Sequence, residues 1–115
     1  MKKPEIVPAS LCHFSQVGEI VRNGRAFAVV LEGRAIGITG YYLDSGRLIL
    51  YSKITPELRP WKKIIVLTAK MIIGLASKIR APLDARSEPE TPGSECLLLG
   101  LGFKRLEGEV FRRLP

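Results

Sequence analysis

Arg59, Lys62 and Lys63 are the densest cationic group in the chain, set in the stretch Pro56-Glu57-Leu58-Arg59-Pro60-Trp61-Lys62-Lys63. A guanidinium and two ammonium groups gathered where a helix begins can hold an anion. The competing reading is a solvated basic face, with Trp61 anchoring the helix to the core. Tyr41, Tyr42 and Tyr51 are the only phenols, and each can donate a proton or simply pack with its hydroxyl bonded once. His13, the sole histidine, is a usable general base or an ordinary helix residue. Glu32, Glu57, Asp84 and Glu88 fall near strand ends, where acid–base work would require a raised pKa. Cys12 and Cys96 have no His or Cys at ligand spacing, so no metal site is expected and both read as reduced, mostly buried thiols. Neither a Ser-His-Asp spacing, a nucleophile elbow, a Walker loop nor a dinucleotide fingerprint occurs.

These side chains must be positioned by a single domain. The 115 residues can bury a core without disulfides or metal, and 46% hydrophobic with 25% charged residues is ordinary for a globular protein. No apolar run reaches the roughly 18 residues of a membrane span, and the basic start Met1-Lys2-Lys3-Pro4-Glu5 lacks the apolar core of a signal peptide. A cytoplasmic location is expected. The net charge of +7 is spread along the chain, with Lys104-Arg105 and Arg112-Arg113 as further basic pairs. Zinc-finger and basic-zipper patterns are absent, so nucleic acid ranks last among the partners, as a salt-sensitive affinity resting on charge alone.

The elements follow from periodicity and punctuation. Glu5-Ile6-Val7-Pro8 reads as an edge strand, because Pro8 cannot donate to a ladder. Ser10 caps a helix from Leu11 to Arg22, with Phe14, Val17 and Val21 on one side. Three strands follow, Ala26–Leu31, Ala35–Leu43 and Arg47–Ile54, joined through Glu32-Gly33-Arg34 and Asp44-Ser45-Gly46 as an antiparallel meander. Gly37 and Gly40 inside the middle strand point to a bulge or a close backbone approach. Thr55-Pro56 reads as a helix start, and apolar positions from Trp61 through Ile64, Ile65, Met71, Ile72 and Leu75 to Ile79 carry a long helix to Arg80. Leu83–Arg86 is a short strand, parallel to the one before the helix. After the proline-rich Glu88–Gly93, Ser94 caps a compact helix to Gly100, and the chain ends with a turn near Glu107-Gly108-Glu109 and a last strand at Val110–Arg112. The order β-α-β-β-β-α-β-α-β predicts an α+β fold, a mixed and mostly antiparallel sheet with helices packed against it.

That order, together with three local stretches, resembles the GNAT superfamily of N-acyltransferases, and the likeness spans nearly the whole chain. Val29–Gly37 resembles its second-to-third strand hairpin. Ile54–Ile65 falls where its pyrophosphate loop and main helix lie. Ser94-Glu95-Cys96-Leu97-Leu98-Leu99-Gly100-Leu101-Gly102-Phe103 resembles its last signature, most closely that of small GNAT-like proteins encoded by phages. The resemblance implies acetyl-CoA as cofactor and an amine as acceptor. It assigns cofactor contacts to Leu50, Tyr51, Ser52 and Lys53, whose backbone would also stabilise an oxyanion, and to Arg59, Lys62 and Lys63. It also shows departures. The glycines of the phosphate loop are replaced by Pro56 through Lys63, so cationic side chains would stand in for backbone amides. The usual general-acid Tyr is Leu98 and the preceding Asn is Thr91, so a substitute acid would be Tyr51, with Tyr41 and Tyr42 on the adjacent strand as alternatives, and a base would be His13, with Glu32 and Glu57 as carboxylate alternatives. Two functions stay open: acetyl transfer to an amine, or a non-enzymatic GNAT-like structural or interaction protein, virion-associated if phage-encoded. An exposed sheet edge would also permit a homodimer.

Overall fold

The computed structural model describes residues 3–86 and 94–114, the side chain of Ser94 excepted. Within them lie β1 (Glu5–Pro8), α1 (Leu11–Val17), β2 (Ala26–Leu31), β3 (Arg34–Asp44), β4 (Arg47–Ile54), α2 (Lys62–Ser77), β5 (Leu83–Arg86), α3 (Ser94–Gly100), β6 (Lys104–Glu107) and β7 (Val110–Arg113). The strands form one sheet in the order β1-β2-β3-β4-β5-β7-β6. Only β4 and β5 pair in parallel, as a strand–helix–strand crossover requires. The α+β fold is as expected, and the chain end resolves into a full hairpin, β6 with β7. The proposed cap Ser94, together with Glu88 and Thr91, has its side chain outside the described residues.

The meander is set by its turns. Glu32 and Gly33 have φ of 51° and 80°, and Ser45 and Gly46 have 53° and 78°. Two consecutive positive φ values make the tight hairpin turn whose twist matches that of the strands. Strand alternation then sends side chains to two different layers. Ala28, Ala35 and Ile38 meet Phe14 and Val17 of α1 on one face. Leu48, Leu83, Ala85 and Phe111 meet Ala69, Ile73 and Ala76 of α2, Leu98 of α3 and Leu101 just after it on the other.

Three expectations are corrected. The first helix stops at Val17 and not Arg22, because Gly18 takes the left-handed conformation at φ 74°. The amides of Gly18 and Glu19 then close back onto Ser15 and Phe14 carbonyls at 3.2 and 3.0 Å. The long helix starts at Lys62 and not Pro56. Thr55 to Pro60 instead form a compact turn, with the Leu58 and Arg59 amides donating to the Thr55 carbonyl. Pro60 disfavours a helical Arg59 and brings no N–H, so the turn cannot run into α2. Both cysteines are exposed, since the inward positions of their helices belong to Phe14, Val17 and Leu98.

Candidate functional site

The central feature is a strand edge that outruns its neighbour. β5 pairs with β4 at Leu48, Ile49 and Leu50 only, while β4 continues to Ile54. The Thr55 amide donates to the Ile36 carbonyl, which fixes the phase of the β3–β4 ladder. Hydrogen-bonded pairs alternate, so Lys53 and Tyr51 direct their backbone groups to β3. Ser52 and Ile54 direct theirs to the opposite side, where no described residue pairs with them. Of the four β4 positions assigned to a cofactor, the backbones of Leu50 and Ser52 thus face the β5 side, where Leu50 is paired with Ala85 and Ser52 is open. Those of Tyr51 and Lys53 are engaged within the sheet.

The open edge leads into the start of α2. Trp61 is its N-cap and makes no side-chain cap bond; Ile64 and Ile65 amides donate to the Trp61 carbonyl. The amides of Lys62 and Lys63 are left without a described partner, as expected for a first helical turn. Arg59, Lys62 and Lys63 are exposed around them, and no acidic residue occupies that turn. Cations at the positive end of a helix repel it, and an anion there relieves the repulsion. Glu57, the nearest carboxylate in sequence, is paired with Arg34.

Leu58 positions this turn. It is 2% exposed and packs with Val29, Ile36, Ile54 and Trp61. Gly37 lies beneath it: a Cβ there would come within 2.3 Å of Leu58 Cδ2. The glycine anticipated in the strand therefore admits a core leucine. A bulge also occurs, since Ile36 has no opposite residue where the register shifts between Val29 and Val30. The Ile36 carbonyl accepts from the Thr55 hydroxyl at 2.6 Å, tying the bulge to the start of the turn.

Tyr51 projects to the α1 face. Its hydroxyl lies over Gly40, where a Cβ would stand 2.9 Å from it, so the ring leans across β3 and away from the open edge of β4. Tyr42 packs against it with centroids 5.7 Å apart. The Arg22 guanidinium carbon sits 4.5 Å from the Tyr42 centroid and 5.6 Å from that of Tyr51. Glu19 is 3.6 Å from Arg22 Nη2. The Tyr51 hydroxyl and Arg22 Nε are buried without a hydrogen-bond partner among the described residues. Burial first, then the Glu19 charge, push the Tyr51 phenol up to about 12, so it stays protonated at neutral pH.

The other candidates are placed apart from this cluster or already engaged. His13 is the third residue of α1, and its Nδ1 accepts from the Ser10 amide at 3.1 Å while Ser10 Oγ accepts from the His13 amide. That is a reciprocal capping box with histidine in the usual glutamate place. Leu98 is buried in the core. Asp84 accepts from Arg112 Nε and Nη2 at 2.7 and 3.0 Å, and this bidentate pairing raises the Arg112 pKa further. Tyr41 faces α2 and lines a cavity of about 480 Å³ with Asn23, Arg25 and Ile79. Among the described residues no group of three His, Cys, Asp or Glu side chains gathers, and no helix is long and apolar enough to cross a membrane.

Sequence reasoning missed Arg22 and Glu19, which it placed inside the first helix. The signal that could have found them was Gly18, which ends the helix by taking the left-handed conformation.

No family model matches the chain, and no curated protein sequence does. Solved structures do. A GNAT-family acetyltransferase from Staphylococcus aureus Mu50 superposes with a TM-score of 0.69 at 11% identity, over 97% of this chain and 99% of that one. A candidate GNAT-family acetyltransferase from Bordetella pertussis gives 0.60 at 10% identity, over 88% of this chain and 68% of that one. The chain has the fold of the GNAT acetyltransferases.

Proposed function

We propose that this protein binds acetyl-CoA along the open edge of β4 and transfers the acetyl group to an amine. The observation that carries the reading is the unpaired run of β4 past Leu50, which ends beside an uncapped helix start ringed by three cations. The residues present suit such a ligand. Backbone groups of Ser52 and Ile54 can pair with the amides of an extended chain, as a further strand would. The amides of Lys62 and Lys63, with the side chains of Arg59, Lys62 and Lys63, suit its phosphates. Acetyl-CoA supplies a thioester whose carbonyl carbon an amine attacks, the C–N bond forming as the C–S bond breaks. The chain's share of the work is positioning and an oxyanion contact from the Ser52 amide. Leu98 can give no proton, the Tyr51 hydroxyl faces Gly40, and His13 Nδ1 is held in its cap. Proton transfer is thereby left to solvent.

A second reading has support of its own. The loop without glycine has Leu58 seated in the core, and the usual acid is a buried leucine, both consistent with a fold kept as a structural or interaction protein. One experiment separates the two. Trp61, the only tryptophan, sits at the helix start and reports locally. Acetyl-CoA should quench or shift its fluorescence and raise the melting temperature. At about 100 times its dissociation constant, a ligand adds roughly 2.7 kcal/mol. Both responses should vanish in Lys62→Ala/Lys63→Ala. Silence in both measurements at millimolar acetyl-CoA would reject binding and leave the non-enzymatic reading.

A further inference from the structure

We infer that the amine acceptor carries a carboxylate, which docks between Arg22 and the hydroxyl of Tyr51 on the sheet face opposite α2. The proposal rests on the acetyl-transfer reading for what the ligand does, and on the following geometry for how it binds.

Arg22 Nε and the Tyr51 hydroxyl are both buried and both lack a hydrogen-bond partner among the described residues. A buried donor left unmade costs about 1–3 kcal/mol, and more when the group is charged. Two such donors in one cluster indicate a missing acceptor. The cluster is stacked, not bonded: the guanidinium covers Tyr42 and Tyr51 at 4.5 and 5.6 Å. Its carboxylate neighbour among the described residues, Glu19, stands at 3.6 Å from Nη2, beyond hydrogen-bond reach, and one Glu19 oxygen accepts instead from the Ile20 amide at 2.9 Å. Arg22, though ion-paired with Glu19, therefore keeps an unused Nε donor beside the unused hydroxyl of Tyr51.

A carboxylate answers both needs. It offers two acceptor oxygens and a negative charge, and the tyrosine, held protonated, donates to one oxygen while Arg22 Nε donates to the other. Arg22 lies in the irregular segment between α1 and β2, so its side chain can lift from the two rings to admit the ligand. Lys53 projects from the same face two residues beyond Tyr51. Asp84, on that face of β5, is neutralised by Arg112. With Glu19 set against Arg22 and Asp84 against Arg112, Lys53 leaves these groups with one net positive charge. The Tyr51 hydroxyl lies over β3 while the open edge is on the β5 side of β4, so the amine must be carried back across β4, at least one strand spacing of ~4.8 Å, by a spacer of several carbons.

The test needs no cofactor. The Arg22 Nε–H resonance of the full-length protein, labelled with nitrogen-15, is followed during addition of β-alanine, γ-aminobutyrate and L-alanine, each beside its primary amide. The expected result is a saturable shift with at least one carboxylate and none with its amide. Ligand-observed binding should weaken roughly tenfold or more in Arg22→Gln and in Tyr51→Phe, the cost of a hydrogen bond to a charged group. Equal shifts with acid and amide, or no shift with any of the acids to tens of millimolar, would overturn the proposal. Undiminished binding in both variants would do the same. Because the readout sits at Arg22, failure here leaves the acetyl-CoA response at Trp61 intact, and failure there leaves this response intact.

Discussion

Replacing Gly37 and Leu58 separately and together should yield strongly non-additive stabilities. In Gly37→Ala the new methyl would stand 2.3 Å from Leu58 Cδ2 and 3.2 Å from the Lys53 carbonyl oxygen. The first contact is far inside van der Waals range, and Leu58, 2% exposed among Val29, Ile36, Trp61 and Ile64, has little room to yield. Overpacking of this kind costs about 1–3 kcal/mol. Leu58→Ala removes a buried isobutyl group and leaves a cavity, for about 2–5 kcal/mol. In the double variant the methyl added at position 37 enters space that the leucine has vacated, so only the 3.2 Å contact persists. The pair should then be more stable than the summed losses by about 1–2 kcal/mol, within the range of coupling for touching residues. Chemical denaturation with the slope held common measures each corner of the cycle. Additivity within about 0.3 kcal/mol would refute the claim that Gly37 exists to admit Leu58. The start of α2 would then need another anchor.

Three further outcomes follow from named contacts. Ser10→Ala removes half of the capping box it makes with His13, and should lower stability by about 0.5–2 kcal/mol in the same assay. The Tyr51 phenol is raised in the folded state, so folding holds its proton more tightly than the unfolded chain does. The contribution of Tyr51 to stability should be constant below the ordinary tyrosine value of about 10 and fall as pH rises from there towards 12; Tyr51→Phe should flatten that fall in pH-dependent melts. Glu57→Gln breaks only an exposed pair with Arg34, whose side chain is 57% accessible, so it should shift stability by less than about 1 kcal/mol. A larger loss would mean that the turn before α2 depends on that pair.

Local signals in the sequence were enough for the elements and their order up to the last helix, but not for β6, which pairs with β7 in the final hairpin. Two-residue turns at Glu32-Gly33 and Ser45-Gly46 need only residues that accept a positive φ, and the apolar spacing from Trp61 onward depends only on the helical period. The parallel β4–β5 pair likewise follows from a strand–helix–strand order. The site was legible only in part, because its properties arise between elements. That Ser52 and Ile54 face an open edge depends on the ladder phase fixed by Thr55 and on β5 pairing no further than Ala85. Tyr51 was recognisable as a phenol on the right strand. The direction of its hydroxyl, over Gly40 and under Arg22, required β3 to pack beside it and α1 to stop at Gly18. His13 shows the same limit: its chemistry is plain from its identity, and its use in the Ser10 cap is a matter of one backbone turn. Residue type and spacing determined which groups exist and on which element each lies. Tertiary packing decided which of them face one another, because strand phase, helix ends and buried contacts are set by partners distant in the chain.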